Sequence, residues 1–500
     1  MTGGAVGVIV EKELRDLFQS PRFVVTFGIV SLLVLASFWL GGSHYLEARS
    51  EYDAARAEVL RQLEGETDWT NVEPIVHLPP SPMASLVSGI GHDVGRTAII
   101  DPGTPVQAEA SLYSERPLLA LWRFLDLEFI FRVVLSLFAV LFAFDAISGE
   151  KERGTLRLAL SNAVPRDVYV LGKMLGAFFG LAVPLLLPIL GGCLLLLALG
   201  VPMASADWWR LATVVGAGFL YLAAFLGLSL LVSSRTHRAS TSFLILLVIW
   251  IAAVLVMPRA SVLAAGRWVE VPAVDADISQ RSRLAAQLFR ENREAMMDML
   301  NAEEGGLRIE LASETDTGDI EEPSPQEQAE AVAKFQARIN EFLTEQATRQ
   351  REALDDLDTR LAERRRNLED RRRRMALGLS RTSPAATFSL AAMDLAGTSL
   401  DLPQRFAEQT LAYRNVFESF LREVAGGTTG GIRIVVRTDD QEEPPAPEPI
   451  DPSQLPEFQF DAPPLRTSLA GAAPDLGLLA LFALLFYSGA FVSFLRYDVR

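Results

Sequence analysis

Six apolar runs set the terms on which this chain can fold. The first, Phe23 to Gly42, holds no charge. At about 1.5 Å per residue its twenty residues cover roughly 30 Å, the hydrocarbon thickness of a bilayer. The others run from Phe129 to Ile147, Met174 to Gly200, Leu211 to Val232, Thr241 to Met257 and Leu476 to Leu495. In lipid the backbone must bond to itself, so each run predicts a helix. Mean hydropathy is +0.23, yet 22% of the residues are charged, so spans and water-soluble parts share one chain. The expected fold class is mainly α: a polytopic membrane protein with six transmembrane helices, a large extracytoplasmic helical domain built on a coiled-coil hairpin, and minor β.

Charge orients the spans. Lys12, Arg15 and Arg22 precede the first. Lys151, Arg153, Arg157, Arg166 and Lys173 fill a polar island, Asp145 to Lys173, between the second and third. Arg235, His237 and Arg238 follow the fourth, and Arg496 and Arg500 end the chain. The short loop on the other side, Pro202 to Arg210, carries only Arg210. The positive-inside rule then places both termini in the cytoplasm. The predicted layout is a cytoplasmic amphipathic helix (1–22), first span (23–42), extracytoplasmic subdomain (43–117), second span (129–147), cytoplasmic loop (148–173), third span (174–200), fourth (211–232), fifth (241–257), extracytoplasmic helical domain (258–475), sixth span (476–495) and cytoplasmic tail (496–500).

Local patterns fill in this plan. Val6, Val10, Leu14, Leu17 and Phe18 share one helical face, with Glu11, Lys12, Arg15 and Asp16 largely opposite, the signature of an interfacial helix. The apolar run after it starts too late and is too long for a cleavable signal, so it reads as a permanent anchor. Arg132 sits near a span end and reads as a snorkelling side chain. Pro184 and Pro188 predict kinks in the third span, and Trp208 and Trp209 mark an interface. Tyr45 to Leu63 reads as a charged helix, and Ser85 to Ser111 as part of a modest subdomain.

Beyond the fifth span, Ile278, Ala285, Leu288, Ala295 and Met299 predict a helix over Asp277 to Ala302. Thr315 to Pro325 reads as a linker. Val332, Phe335, Ile339, Phe342, Leu354, Leu357, Leu361, Leu368 and Met375 form the seam of a second helix, Gln326 to Leu377, interrupted by Gln346, Gln350, Arg364 and Arg371. An antiparallel hairpin follows. The cluster Arg364 to Arg366 and Arg371 to Arg374 reads first as a solvated face balanced by Glu363, Glu369 and Asp370, and second as a site for anionic headgroups or an acidic partner. Ser383 to Val424 reads as helix with a break at Pro403, Ile432 to Val436 as a strand, and Gln441 to Pro456 as an extended tether.

Several chemistries are excluded. A net charge of −16 argues against nucleic acid as a partner. The lone cysteine, Cys193, permits no intrachain disulfide, and the four histidines show no metal-ligand spacing. No phosphate-binding GxxxxGK[ST] occurs, since Gly172-Lys173 is followed by Met174, and there is no GxSxG elbow. No catalytic residue, metal site or directly bound cofactor is expected, and nothing in the sequence assigns substrate-binding residues.

The stretch LSLFAVLFAFDAISGEKERGTLRLALSNAVPRDVYVLGK, ending at Lys173, resembles the signature region of ABC transporter permeases of the type-two exporter family. SPAATFSLAAMDLAGTSL (Ser383 to Leu400) and the terminal FLRYDVR are similar to a bacterial subfamily with a large domain before its last span. The resemblance implies a permease dimer, its two members identical or different, docked on a separate cytoplasmic ABC ATPase that uses the ATP; the spans add membrane lipids as partners, and the large soluble hairpin leaves room for an extracytoplasmic protein partner. It also implies that the loop after the second span couples to the ATPase through Glu150, Lys151, Glu152, Arg153, Gly154, Thr155 and Leu156. Gly149 and Gly154 suit helix breaks there, and Leu156, Leu160 and Val164 suit anchoring. The function expected is an ATP-driven exporter subunit. The alternative is a subunit that transports nothing and uses ATPase cycling to move the hairpin against a cell-envelope partner.

Overall fold

The computed structural model describes residues 2–69, 72–91, 95–100, 108–109, 125–161, 165–311, 325–424 and 449–496. Among these, six helices are long and apolar enough to cross a membrane. Spans 1 to 6 are Pro21–Gln62, Leu127–Arg153, Arg166–Leu199, Ser205–Arg235, Ala239–Trp268 and Leu465–Leu495. Span 1 continues without a break through the charged segment read as a separate helix, because nothing between Gly42 and Gln62 interrupts the backbone ladder. The other helices are α1 (Thr2–Phe18), α2 (Pro82–Leu86), α3 (Ser148–Arg153), which closes span 2, α4 (Thr155–Ser161), α5 (Val274–Leu311), α6 (Pro325–Ser380), α7 (Pro384–Ala396) and α8 (Leu402–Val424). A three-stranded antiparallel sheet, β1 (Ile75–His77), β2 (Thr97–Ile99) and β3 (Ala108–Glu109), supplies the minor β, with Ile75 opposite Ile99 and Thr97 opposite Glu109. The strand expected at Ile432 to Val436 lies outside the described residues.

The chain forms two compact units, Met1–Arg259 with Ser380–Arg500, and Ala260–Leu379. The single domain expected over 258–475 is therefore divided. The reason is visible in α7. It is nearly apolar all round, so it must be buried. Ala385, Phe388, Ala391, Ala392 and Leu395 are all fully enclosed. At thirteen residues it is too short to span. It packs on spans 4 and 6, and Phe388 stacks on Tyr221 of span 4 with ring centroids 4.9 Å apart. Spans 2 and 5 each contain one π-helical turn, Ile130–Leu135 and Ile251–Val256, and both border α7. Ser383 caps α7 by accepting from Ala385 N (3.2 Å) and donates to Ala253 O in the π turn of span 5 (2.5 Å). At the other end of α7, Arg210 donates to Leu395 O (3.0 Å), to Ser468 Oγ (3.0 Å) and to Pro463 O. A cation there also complements the helix dipole.

Helix α7 ends at Gly397, which takes φ +79°, a left-handed conformation that glycine adopts without strain. The break expected at Pro403 therefore falls six residues earlier. Pro403 lies in the first turn of α8, where a missing N–H costs nothing. Phe406, Thr410, Tyr413, Phe417 and Leu421 form the buried stripe of α8. They share a second core with Trp69, Val76, Ile100, Phe458 and Phe460. The two regions read as separate extracytoplasmic pieces thus meet in one small domain. Arg132 is paired rather than snorkelling: it lies 3.4 Å from Glu128 and donates to Ser389 Oγ of α7 (3.3 Å).

The second unit holds α5 and most of α6, which run antiparallel. Arg365 reaches Asp277 (2.6 Å) and Pro272 O (3.0 Å), Arg281 reaches Asp358 (2.9 Å), and Asn292 donates to Gln350 (3.4 Å). Phe342, Gln346, Gln350, Leu354, Leu357, Leu361, Arg365 and Leu368 make a half-buried stripe. Ile278, expected in the seam, is exposed, and Asp277 takes its place. The side chains of Val332, Phe335 and Met299 lie outside the described set. No described apolar side chain of α5 or α6 is fully buried, so polar ties carry much of the pairing.

Asp475 of span 6 is wholly enclosed and held bidentately by Arg381 (2.6 and 2.9 Å). Asp394 of α7 lies close by, and burial, followed by the Asp475 and Asp401 charges, pushes its pKa up to about 6. A raised carboxyl pKa means that the folded state holds the proton more tightly than the unfolded one. Stability from this group is therefore full below about pH 4 and is lost as pH rises through about 6. Asp394→Asn should flatten that slope in a melting-temperature series from pH 4 to 8, whereas an unchanged slope would remove Asp394 as its source.

Candidate functional site

The polar island folds into a compact joint. The chain leaves the membrane-crossing part of span 2 at Phe144, turns, and starts α3 with no side-chain cap of its own. Ser233 of span 4 supplies one: its Oγ accepts from Ile147 N (3.0 Å) and Ser148 N (2.9 Å). Gly154 ends α3 at φ +74°, and α4 begins at once. Gly149 does not break the helix. It lies inside α3, where an added Cβ would stand 3.2 Å from Asp145 Cβ.

Glu150 is the centre of the joint. Its Oε1 accepts from Lys173 Nζ (2.7 Å) and Lys12 Nζ (3.1 Å), and its Oε2 accepts from the Tyr169 hydroxyl. Lys173 also donates to Glu13 (2.8 Å). One carboxylate thereby ties α1, α3 and span 3 together. Lys173 and Glu150 side chains are 3% and 6% exposed, so the pair is screened little by salt. Burial alone would lower the Lys12 ammonium, but the Glu150 and Glu13 carboxylates outweigh it and raise its pKa above the ordinary value. Tyr169 is fixed further by stacking on Phe494 of span 6, with centroids 5.2 Å apart.

Helix α1 reaches this joint because span 3 offers it a smooth face. A Cβ on Gly172 would lie 2.7 Å from Ile9 Cγ2, and one on Gly176 would lie 2.6 Å from Glu13 Cβ. Any larger residue would push α1 away and part Glu13 from Lys173.

The rest of the loop divides by exposure. Lys151 is half-buried and donates to Ser234 O and Thr236 O (3.1 Å), the last carbonyls of span 4. Glu152 accepts from Ala239 N (3.0 Å) at the start of span 5. Both contacts suit the helix dipoles, a cation at a C-terminus and an anion at an N-terminus. Leu156 is buried with Ile147, Val170, Leu230 and Phe494. Glu152, Arg153, Gly154 and Thr155 stand out to solvent as a continuous edge. Of the seven residues expected to meet a partner, Glu150 and Leu156 are thus turned inward. The side chain of Leu160 and all of Val164 lie outside the described residues. The roles of Glu13 and Tyr169 were not legible in the sequence. The one available signal was Lys173, a lysine at the mouth of an apolar run that needs a buried counter-charge. Among the described residues no cluster of His, Cys, Asp and Glu could hold a metal ion.

A family model described as "ABC-2 family transporter protein" matches residues 8–300, more than half of the chain. The chain belongs to the ABC-2 transporter family. That match takes in α1 from Val8 onward, the Glu150 joint and all of spans 1 to 5. A second model, a domain of unknown function (DUF3526), matches residues 313–441, which hold α6, α7 and α8. A "Probable ABC transporter permease protein NosY" of Pseudomonas aeruginosa is 36% identical over 111 residues, 22% of this chain. The match spans 40% of that relative's length.

Glu150→Gln should loosen α1. Removing one partner of a buried pair costs about 3 kcal/mol, which corresponds to amide exchange over Val6 to Leu17 about a hundredfold faster. Unchanged exchange in α1 would show that Glu150 does not hold it.

Proposed function

We propose that this chain is the permease subunit of an ATP-driven ABC exporter, dimeric in the bacterial inner membrane with both termini cytoplasmic. In this reading a separate cytoplasmic ATPase docks on the α3–α4 joint. Support comes from family membership, from six spans without a phosphate-binding loop, and above all from the split character of the joint. Its inner side is braced to α1 and to spans 3, 4 and 5, the last through Glu152, whereas its outer edge, Arg153 to Thr155, is exposed. A rigid base under an exposed edge transmits displacement, since a soft base would absorb it.

The residues sort into two roles. Arg153, Gly154 and Thr155 make the contact, with Glu152 at its border. Glu150, Lys151 and Leu156 position it. ATP stays with the partner subunit. Movement of the edge passes through Glu150 to α1 and span 3, and through Lys151 and Glu152 to the loop between spans 4 and 5.

Arg153→Glu combined with Thr155→Trp, both exposed, should reduce co-purification of the ATPase with the full chain by about tenfold or more without lowering the melting temperature. Undiminished co-purification would place the contact elsewhere. A second reading, force delivered to a cell-envelope partner, is favoured by α6, whose 56 residues would extend roughly 80 Å. Deleting Asp277 to Leu377 separates the two: export that persists in the deletion supports the transporter, and a parent that exports nothing, whose deletion loses its envelope phenotype while ATPase docking persists, supports the mechanical subunit.

A further inference from the structure

The second unit carries a feature that the coupling joint does not use. Between Arg364 and Arg374 the sequence reads RRRNLEDRRRR, seven arginines against Glu369 and Asp370, a local excess of +5 in a chain of −16. The plain reading is a solvated face balanced by its own carboxylates, and the structure tests it. Elsewhere on the hairpin arginines do find carboxylates, Arg349 with Glu345, Arg360 with Asp356 and Arg281 with Asp358, and within the segment Arg365 pairs with Asp277. Arg364, Arg366, Arg371, Arg372 and Arg374 are exposed and have no ion pair among the described residues. Glu369 turns to Arg365 instead (3.9 Å). For these five of the seven arginines, the balance expected from the sequence is not made among the described residues.

Position supplies the second observation. Span 5 runs to Trp268, and its last turns leave Val262 (54%), Leu263 (75%) and Trp268 (66%) exposed. A bare tryptophan closing an apolar span marks the headgroup layer. Arg372 lies against Gly266, where an added Cβ would be 3.0 Å from its guanidinium. Arg365 lies beside Pro272 and Asp277. The arginine segment therefore runs from beside Pro272 and Asp277 at Arg365 to beside Gly266, two residues before Trp268, at Arg372, advancing about 1.5 Å per residue along α6. Its 11 residues cover roughly 16 Å, enough to pass through one headgroup layer.

Arrangement supplies the third. At 100° per residue, Arg364, Arg371 and Arg374 step round one flank of α6, Arg366 falls opposite the seam, and Arg372 lies on the other flank. A helix lying flat on a membrane keeps its cations on one face. A helix standing upright in the headgroup layer is surrounded by phosphates, and a ring of arginines fits that setting.

We propose that Arg364, Arg366, Arg371, Arg372 and Arg374 form a collar that binds anionic phospholipid headgroups at the foot of the hairpin. Guanidinium groups pair bidentately with phosphate oxygens, and the exposed Val262, Leu263 and Trp268 meet the adjoining acyl region. The collar would seat the hairpin on the lipid surface and make that seating depend on membrane charge.

The test uses the full-length protein in nanodiscs of phosphatidylcholine containing phosphatidylglycerol, with lipid retained after detergent extraction counted by native mass spectrometry. Phosphatidylglycerol should be enriched over phosphatidylcholine, and the enrichment should weaken at high salt. Replacing Arg364, Arg366, Arg371 and Arg374 by glutamine should cut retained phosphatidylglycerol at least about fivefold, and the same four positions as lysine should restore most of it. These side chains hold no ion pair among the described residues, so the glutamine variant should melt with the parent. Equal retention in parent and glutamine variant overturns the collar. So does equal retention of both lipids by the parent, or binding of an acidic protein with no preference between lipids.

Discussion

The buried pair of Glu150 and Lys173 is the interaction on which the loop between spans 2 and 3 depends. Removing two charges from water is expensive, and their mutual attraction repays the cost only when the remaining hydrogen-bonding capacity is also met. Here it is met. Lys12 and Tyr169 complete the carboxylate, and Glu13 gives the ammonium a second acceptor. The set is neutral overall and draws on three helices distant in sequence. Oil-like packing could hold α1 against span 3 in many registers, because the glycine face there is smooth. Opposed charges in a dry site accept only one.

The same principle recurs through the spans. In a bilayer apolar burial does little to choose between helix partners, so close packing and polar ties decide. Ser233 caps α3 from span 4, Trp250 donates to Ser136 (2.9 Å) between spans 5 and 2, and Arg381 closes on Asp475. Arg210 and Ser383 pin the two ends of α7 to the bundle. The short helix thereby becomes a wedge against spans 2, 4, 5 and 6. That wedge belongs to the part of the chain matched by the domain of unknown function, while most of the helices it presses on belong to the ABC-2 match. The two regions are therefore interlocked rather than joined end to end.

The spans were legible because the bilayer imposes a length and a polarity that few other environments demand. The αL turn at Gly154 was legible because glycine suits few other roles between two charged helical stretches. What misled was distance in sequence. Glu150 looked like a surface charge because its partners sit 138 and 23 residues away, and no local pattern names them. The small-residue run of α7 gave a helix but not its burial among spans, since alanine suits both settings. Pro403 looked like a break because proline ends helices more often than sequence alone can reveal that it starts them. The core that α8 shares with the sheet region needed contacts across more than three hundred residues, such as Trp69 with Phe420 of α8, whose ring centroids lie 4.9 Å apart.

The central claim is that a buried carboxylate governs an exposed docking edge it does not belong to. The most direct measurement is the dissociation constant of the ATPase subunit for full-length protein carrying Glu150→Gln in nanodiscs. Glu150 is 5% exposed, so it offers an incoming protein almost no surface. If the joint works as described, loss of the buried carboxylate weakens ATPase binding by about tenfold while Arg153, Gly154 and Thr155 remain intact. An unchanged dissociation constant, measured alongside a loosened α1, would contradict it.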